Sequence, residues 1–187
     1  GMTGGKLGIL GLGAIGMEFA KRAKGFDMQI GYCNRSKRGD VDYPYFPNVT
    51  ALATWAAYLI VCLRSDASNK HIINADVLKA LGPRGHLVNI SRGWAVDEAA
   101  VADALRNNVI EGAALDVFDE EPYEGTELLQ FDNLVMTPHF GGGTEHAQRR
   151  MTSLVLQNLD AHFAGKPVVS PLPELRDMSL NSAGRLR

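Results

Sequence analysis

The segment KLGILGLGAIG, residues 6–16, limits what this chain can fold into more than any other. An apolar run of strand length, residues 6–10, leads into Gly11-x-Gly13-x-x-Gly16. Ile15, Phe19, Ala23 and Phe26 then recur at helical spacing. The order strand, glycine turn, helix is what a phosphate cradle requires. Gly11 permits the tight turn, Gly13 lets backbone approach a pyrophosphate, and Gly16 lets helix and strand pack closely. The helix N-terminus adds unpaired N–H groups and partial positive charge. In this setting the turn reads as a dinucleotide site rather than a plain glycine-rich loop.

The rest of the chain repeats the same alternation. MQIGY, YLIVCL, HLVNI, GAAL and NLVMT read as further buried strands, and YPYFPNV as a loop or irregular strand. LATWAA makes one or two helical turns. Asn74 caps a helix stopped by Gly82 and Pro83, and Asp97 caps one whose face holds Val101, Ala104 and Leu105. Thr144 begins a long helix with Ala147, Met151, Leu154, Val155 and Leu159 turned inward, stopped by Gly165 and Pro167. Wholly apolar strands alternating with helices predict an α/β doubly wound parallel sheet, Rossmann-type, covered on both faces. The 187 residues suit one such domain, taken as 3–167, followed by an extended or disordered tail, 168–187. A net charge of −2 gives no global basic field, so neither nucleic acid nor an acidic membrane is an expected partner. No apolar run approaches the roughly 20 residues of a membrane span. Two cysteines, Cys33 and Cys62, at the ends of apolar runs suit a reducing compartment. No signal peptide is visible, and a cytoplasmic location is expected.

The second strand runs into Asn34, Arg35, Ser36, Lys37 and Arg38. In an NAD site an acidic residue about 20 residues beyond the glycine turn accepts hydrogen bonds from the adenosine ribose. That position falls here at Cys33 or Asn34, and neither is acidic. Arginine and a serine hydroxyl instead offer charge-assisted bonds to a 2′-phosphate. The loop therefore reads as a clamp for NADP(H), with NAD(H) also admissible. Arg35 and Ser36 are the primary contacts, and Lys37 or Arg38 is expected to point to water.

Ligands of open parallel sheets lie beyond the carboxyl ends of the strands. HLVNI delivers Ser91, Arg92 and Gly93 to that edge, GAAL delivers Asp116 and then Glu121, and NLVMT delivers His139. Arginine, carboxylate and histidine together suit reduction of a ketoacid. A histidine titrating near neutrality supplies the proton for the carbonyl oxygen. A neighbouring carboxylate favours the charged imidazole. The arginine holds a substrate carboxylate or polarises the carbonyl. No metal-ligand cluster is visible, and no Gly-x-Ser-x-Gly turn carries a nucleophile.

GKLGILGLGAIG, LGPRGHLVNISRGWAVDEAAVADAL, GAALDVFDEEP and NLVMTPHFGGGT together resemble the D-isomer-specific 2-hydroxyacid dehydrogenase family. The resemblance implies that Arg92 binds substrate, Glu121 partners the acid, and His139 donates the proton. It places the cofactor on Gly11, Gly13, Ala14, Ile15 and Gly16, on Asn34, Arg35 and Ser36, and on Leu63 and Ser65. Ile90, Arg92, Asp116, His139 and Gly141 complete that set, with Asp116 at the nicotinamide carboxamide. The NRS after the second strand resembles NADPH-preferring glyoxylate and hydroxypyruvate reductases, and the family implies a homodimer. Two departures stand out. LRSDAS, residues 63–68, replaces the usual Pro-Leu-Thr-Pro-x-Thr, with Ser65 and Ser68 left to keep the hydroxyl roles. The family's substrate domain, about a hundred residues, has no counterpart, so the chain is expected to be a coenzyme domain that binds NADPH with little turnover. A nucleotide-sensing module without catalysis is the alternative reading.

Overall fold

A computed structural model describes residues 1–64 and 66–172. Ser65, assigned above to the cofactor, and residues 173–187 of the expected tail lie outside the described residues. Six strands alternate with helices: β1 (Lys6–Leu10), α1 (Ala14–Lys24), β2 (Gln29–Cys33), α2 (Val49–Trp55), β3 (Tyr58–Val61), α3 (Ala75–Leu81), β4 (His86–Asn89), α4 (Glu98–Arg106), β5 (Gly112–Leu115), β6 (Leu134–Met136) and α5 (Glu145–Phe163). The sheet order is β2-β1-β3-β4-β5-β6, and each neighbouring pair is parallel. All carboxyl ends therefore reach one rim. YPYFPNV adds only an isolated parallel bridge, Tyr32 to Tyr45, outside β2. Pro44 and Pro47 flank it and have no N–H with which to extend a ladder.

Successive strand residues point to opposite faces, and the core divides accordingly. On one face Leu59, Val61 and Leu87 pack with Leu52 of α2, Val77 and Leu78 of α3, and Val101 and Leu105 of α4. On the other, Ile9, Ile30 and Ile60 pack with Ala20 and Ala23 of α1. Each fully buried aliphatic side chain contributes about 1.5–3 kcal/mol. The capping expectations are met by geometry. The Asn74 Oδ1 accepts from the Val77 N–H at 3.1 Å, and Asp97 Oδ1 from the Ala100 N–H at 3.1 Å.

Two packing expectations need correction. On α1 the buried face is Gly16, Ala20 and Ala23, while Ile15 and Phe26 are 58% and 50% exposed. Small residues face the sheet because α1 lies close to β1: a Cβ on Gly16 would meet the Gly11 carbonyl at 2.5 Å. Nor, among the described residues of the first unit, do helices cover the sheet fully on both faces. A helix about 10–12 Å across spans little more than two strands. On the α1 side Ile60, Val88, Ala114 and Val135 line a hollow of about 690 Å³.

The chain divides into two compact units, residues 1–139 and residues from 140 onward. In the second, the Thr144 Oγ1 caps α5 by accepting from the Ala147 N–H at 3.2 Å, and Gly165 follows with φ +67°. The expected inward face is not buried. Met151, Leu154, Val155 and Leu159 are exposed, and no residue of α5 is buried. The described part of this unit is one helix with short flanks, which supplies no second layer for that stripe. Among the described residues no helix is long and apolar enough to cross a membrane.

Both thiols are free. Burial pushes Cys62 up to about 12 and raises Cys33 above its ordinary value. Both are thus protonated and unreactive at neutral pH. A disulfide reagent at pH 8 should label the native chain slowly and both thiols at once in denaturant. Prompt labelling of the native chain would contradict this packing.

Candidate functional site

The glycine turn leaves β1 with Gly11 at φ +97°. A Cβ there would lie 2.8 Å from the Cys62 carbonyl oxygen, so glycine is required both by conformation and by the close pass of β3's exit. At Gly13 an added Cβ meets nothing within 4 Å, leaving open space in front of the turn. In the same unit α2, α3 and α4 are capped by Asn48, Asn74 and Asp97, whereas Gly13 offers α1 no side-chain cap. The first N–H groups of α1 are thus left for a ligand, and phosphate is the natural one. Ala14 and Ile15 lie exposed in that first turn.

The end of β2 is tied to this turn. Asn34 Oδ1 accepts from the Leu12 N–H at 2.7 Å, and Arg38 Nη1 donates to the Leu12 carbonyl at 2.7 Å. Arg38 also grips Asp40 through Nε at 2.8 Å, and its backbone N–H donates to the Tyr32 hydroxyl at 2.8 Å. Arg38 is therefore a brace for the glycine turn, and of the two residues expected to point to water it is Lys37 that is exposed. The reach of Arg38 back to Leu12 was invisible because it depends on how the loop folds over. Arg35, Ser36 and Lys37 are exposed. Arg35 Nη2 pairs with Asp66 Oδ2. Asn34, Arg35, Leu63, Arg64, Asp66 and Asn69 line a hollow of about 440 Å³. Asp66 is anchored by the Ser68 N–H at 2.9 Å and Oγ at 2.7 Å. Those bonds, with Arg35, hold its pKa at about 2. The hydroxyl role expected of Ser68 is thus spent on Asp66.

Farther along the rim, β4, β5 and β6 deliver the polar residues. Asn89 is fully buried; its Oδ1 accepts from the Ser91 N–H at 3.1 Å and Oγ at 2.8 Å, and its Nδ2 donates to the Arg92 carbonyl at 3.0 Å. It shapes the turn that carries Arg92, and sequence reading missed it. The signal was a lone amide inside an apolar strand. Gly93, placed at this edge by the sequence without a role, has one in packing: a Cβ on it would sit 1.8 Å from the Phe118 carbonyl carbon. Only glycine lets the Arg92 turn lie against the loop that bears Glu121. Ile90 is half-buried, and its N–H donates to the Val61 carbonyl at 3.4 Å. Asp116 Oδ1 accepts from the Thr137 hydroxyl.

Glu121 and His139 meet. Glu121 Oε2 lies 2.7 Å from His139 Nδ1, and Oε1 accepts from the Phe118 N–H at 3.0 Å. These contacts, His139 first, together with the Arg92 charge hold the Glu121 carboxyl below the usual range. A carboxylate acceptor fixes the proton on Nδ1 and leaves Nε2 to face chemistry. His139 sits at φ +54°, a left-handed conformation uncommon outside glycine and frequent at functional sites. A hollow of about 530 Å³ adjoins the pair, lined also by Phe118, Tyr123 and Met136. Along the rim, β2 and β4 are three strand intervals apart, about 14 Å. That length separates the basic loop from the Arg92 turn. Gly141 belongs to the second unit.

The glycine turn, the sheet order and the ligand rim define a doubly wound dinucleotide-binding domain. The family model for the NAD binding domain of D-isomer specific 2-hydroxyacid dehydrogenases matches residues 1–141, and the chain belongs to that family. It is 43% identical over 170 residues to a hydroxyphenylpyruvate reductase of Plectranthus scutellarioides, covering 91% of this chain and 54% of that one. It is 39% identical to a glyoxylate reductase of Pyrococcus horikoshii over 86% of this chain and 49% of the relative. An NADPH-dependent glyoxylate/hydroxypyruvate reductase from Sinorhizobium meliloti, solved with NADP and malonate, superposes with a TM-score of 0.87. It shares 40% identity over 91% of this chain and 54% of that structure. The chain thus spans about half the length of the curated relatives it matches.

Replacing Gly93 with alanine forces the Arg92 turn away from Phe118. An overpacked buried site of this kind loses about 1–3 kcal/mol or more, read as a fall in the thermal midpoint. An unchanged midpoint would contradict the backbone approach described here.

Proposed function

We propose that this chain is the coenzyme domain, residues 3–167, of a reductase that transfers hydride from NADPH to a small 2-ketoacid of the glyoxylate or hydroxypyruvate kind, giving a D-2-hydroxyacid. The Glu121–His139 contact at 2.7 Å, on the same rim as the glycine turn, carries this reading. The names of the relatives supply the substrate class.

The residues present fit the cofactor. The Gly11 turn and the uncapped α1 N-terminus suit the pyrophosphate. Arg35 and Ser36 suit the 2′-phosphate, with Asn34 beside the ribose. Ile15, Leu63, Ile90 and Asp116 complete the contacts, Asp116 at the carboxamide. When bound, the nicotinamide supplies hydride to the carbonyl carbon. Arg92 holds the substrate carboxylate. His139 gives its Nε2 proton to the carbonyl oxygen, while Glu121 holds the ring through Nδ1 and stabilises the imidazolium. The assembly is a cytoplasmic homodimer.

His139→Ala in the full-length enzyme should leave NADPH affinity intact and lower kcat by about 10²–10⁴-fold. Unchanged turnover would remove the proton-donor assignment. Arg35→Ala should weaken NADPH by about 1.5–3 kcal/mol, roughly ten- to a hundredfold, with NADH nearly unaffected. Equal losses for both cofactors, measured by fluorescence titration, would mean that the loop merely shapes the site.

A further inference from the structure

We propose that Asp66 restrains the preference of this chain for a phosphorylated ribose, because its carboxylate occupies Arg35 and faces the place where the 2′-phosphate would bind. This rests on the NADPH reading above and deepens it.

The geometry separates the two partners. Asp66 is fixed at Oδ1 by the N–H and hydroxyl of Ser68, and it presents Oδ2 to Arg35 Nη2. Arg35 is the more exposed member, with 78% of its side chain exposed against 37% for Asp66. Both line the same hollow beside Asn34. Arg38 offers no substitute, since its guanidinium is engaged by Asp40 and the Leu12 carbonyl. The basic run therefore brings less net positive charge to the ribose than its sequence suggests.

An exposed ion pair is weak and yields to a better anion. A 2′-phosphate can thus take Arg35, whose fork has further donors besides Nη2. Asp66 stays behind, because Ser68 holds it. Phosphate and carboxylate then lie within a few ångströms of each other and repel. With its pKa at about 2, Asp66 is charged throughout any usual assay range, so this opposition does not fade with pH. A cofactor without the 2′-phosphate does not meet it.

Asp66→Asn removes the charge and keeps an oxygen for Ser68. In the 187-residue chain it should tighten NADPH and 2′,5′-ADP by roughly three- to tenfold at low salt, and leave NADH and 5′-AMP within about twofold. The gain should shrink at high salt. Asp66→Ser should act in the same direction, which separates charge from shape. Arg35→Ala is run alongside. If Arg35→Ala removes the 2′-phosphate preference while both Asp66 variants leave NADPH binding unchanged or weaker, Asp66 is a strut for Arg35. The proposal then fails and the cofactor reading survives. If Arg35→Ala shows no selective effect, the cofactor reading fails and the proposal falls with it.

Discussion

Six strands that all run the same way force their carboxyl ends onto one rim, and every functional feature of this chain depends on that alignment. Gly11, Asn34, Arg92, Asp116 and His139 are far apart in sequence and follow five different strands, with Glu121 sharing the β5 exit with Asp116. Reversing any one strand would send its polar residue to the opposite edge. The apolar strand interiors secure the direction, since parallel ladders form where helices can bury both sheet faces. Here α2, α3 and α4 do so on one face, and α1 packs on the other against β1 and β2.

The rim is held by polar bonds within the chain. Asn34 and Arg38 clasp the two sides of Leu12, which couples the glycine turn to the basic loop. Asn89 folds the turn carrying Arg92. Gly93 lets that turn meet the loop carrying Glu121, and the Phe118 N–H aims the Glu121 carboxylate at His139. Buried amides in such roles are costly to leave unpaired, so a satisfied network specifies one geometry. Glu121 and His139 are held in that geometry.

Much of this was legible in the residues. The strand-turn-helix around Gly11, the caps at Asn74, Asp97 and Thr144, and the delivery of Arg92, Glu121 and His139 to one edge follow from local pattern and a parallel sheet. What failed was what depends on the third dimension. The Ile15, Phe19 and Phe26 stripe has helical spacing, yet the close pass of α1 over β1 admits only Gly16, Ala20 and Ala23. The apolar stripe of α5 has the right period, but its unit has no described layer to receive it. Arg38 and Ser68 read as ligand or solvent residues because nothing local reveals their contacts with Leu12 and Asp66. Pattern reports which residues share a face; it does not report what that face meets.

A crystal structure of this chain with NADPH tests the central claim most directly. The account predicts the pyrophosphate on the α1 N-terminus, the 2′-phosphate within hydrogen-bonding distance of Arg35, and the nicotinamide ring on the rim between Arg92 and His139. A cofactor seated in the hollow lined by Val88 and Val135, or turned end for end along the rim, would contradict it.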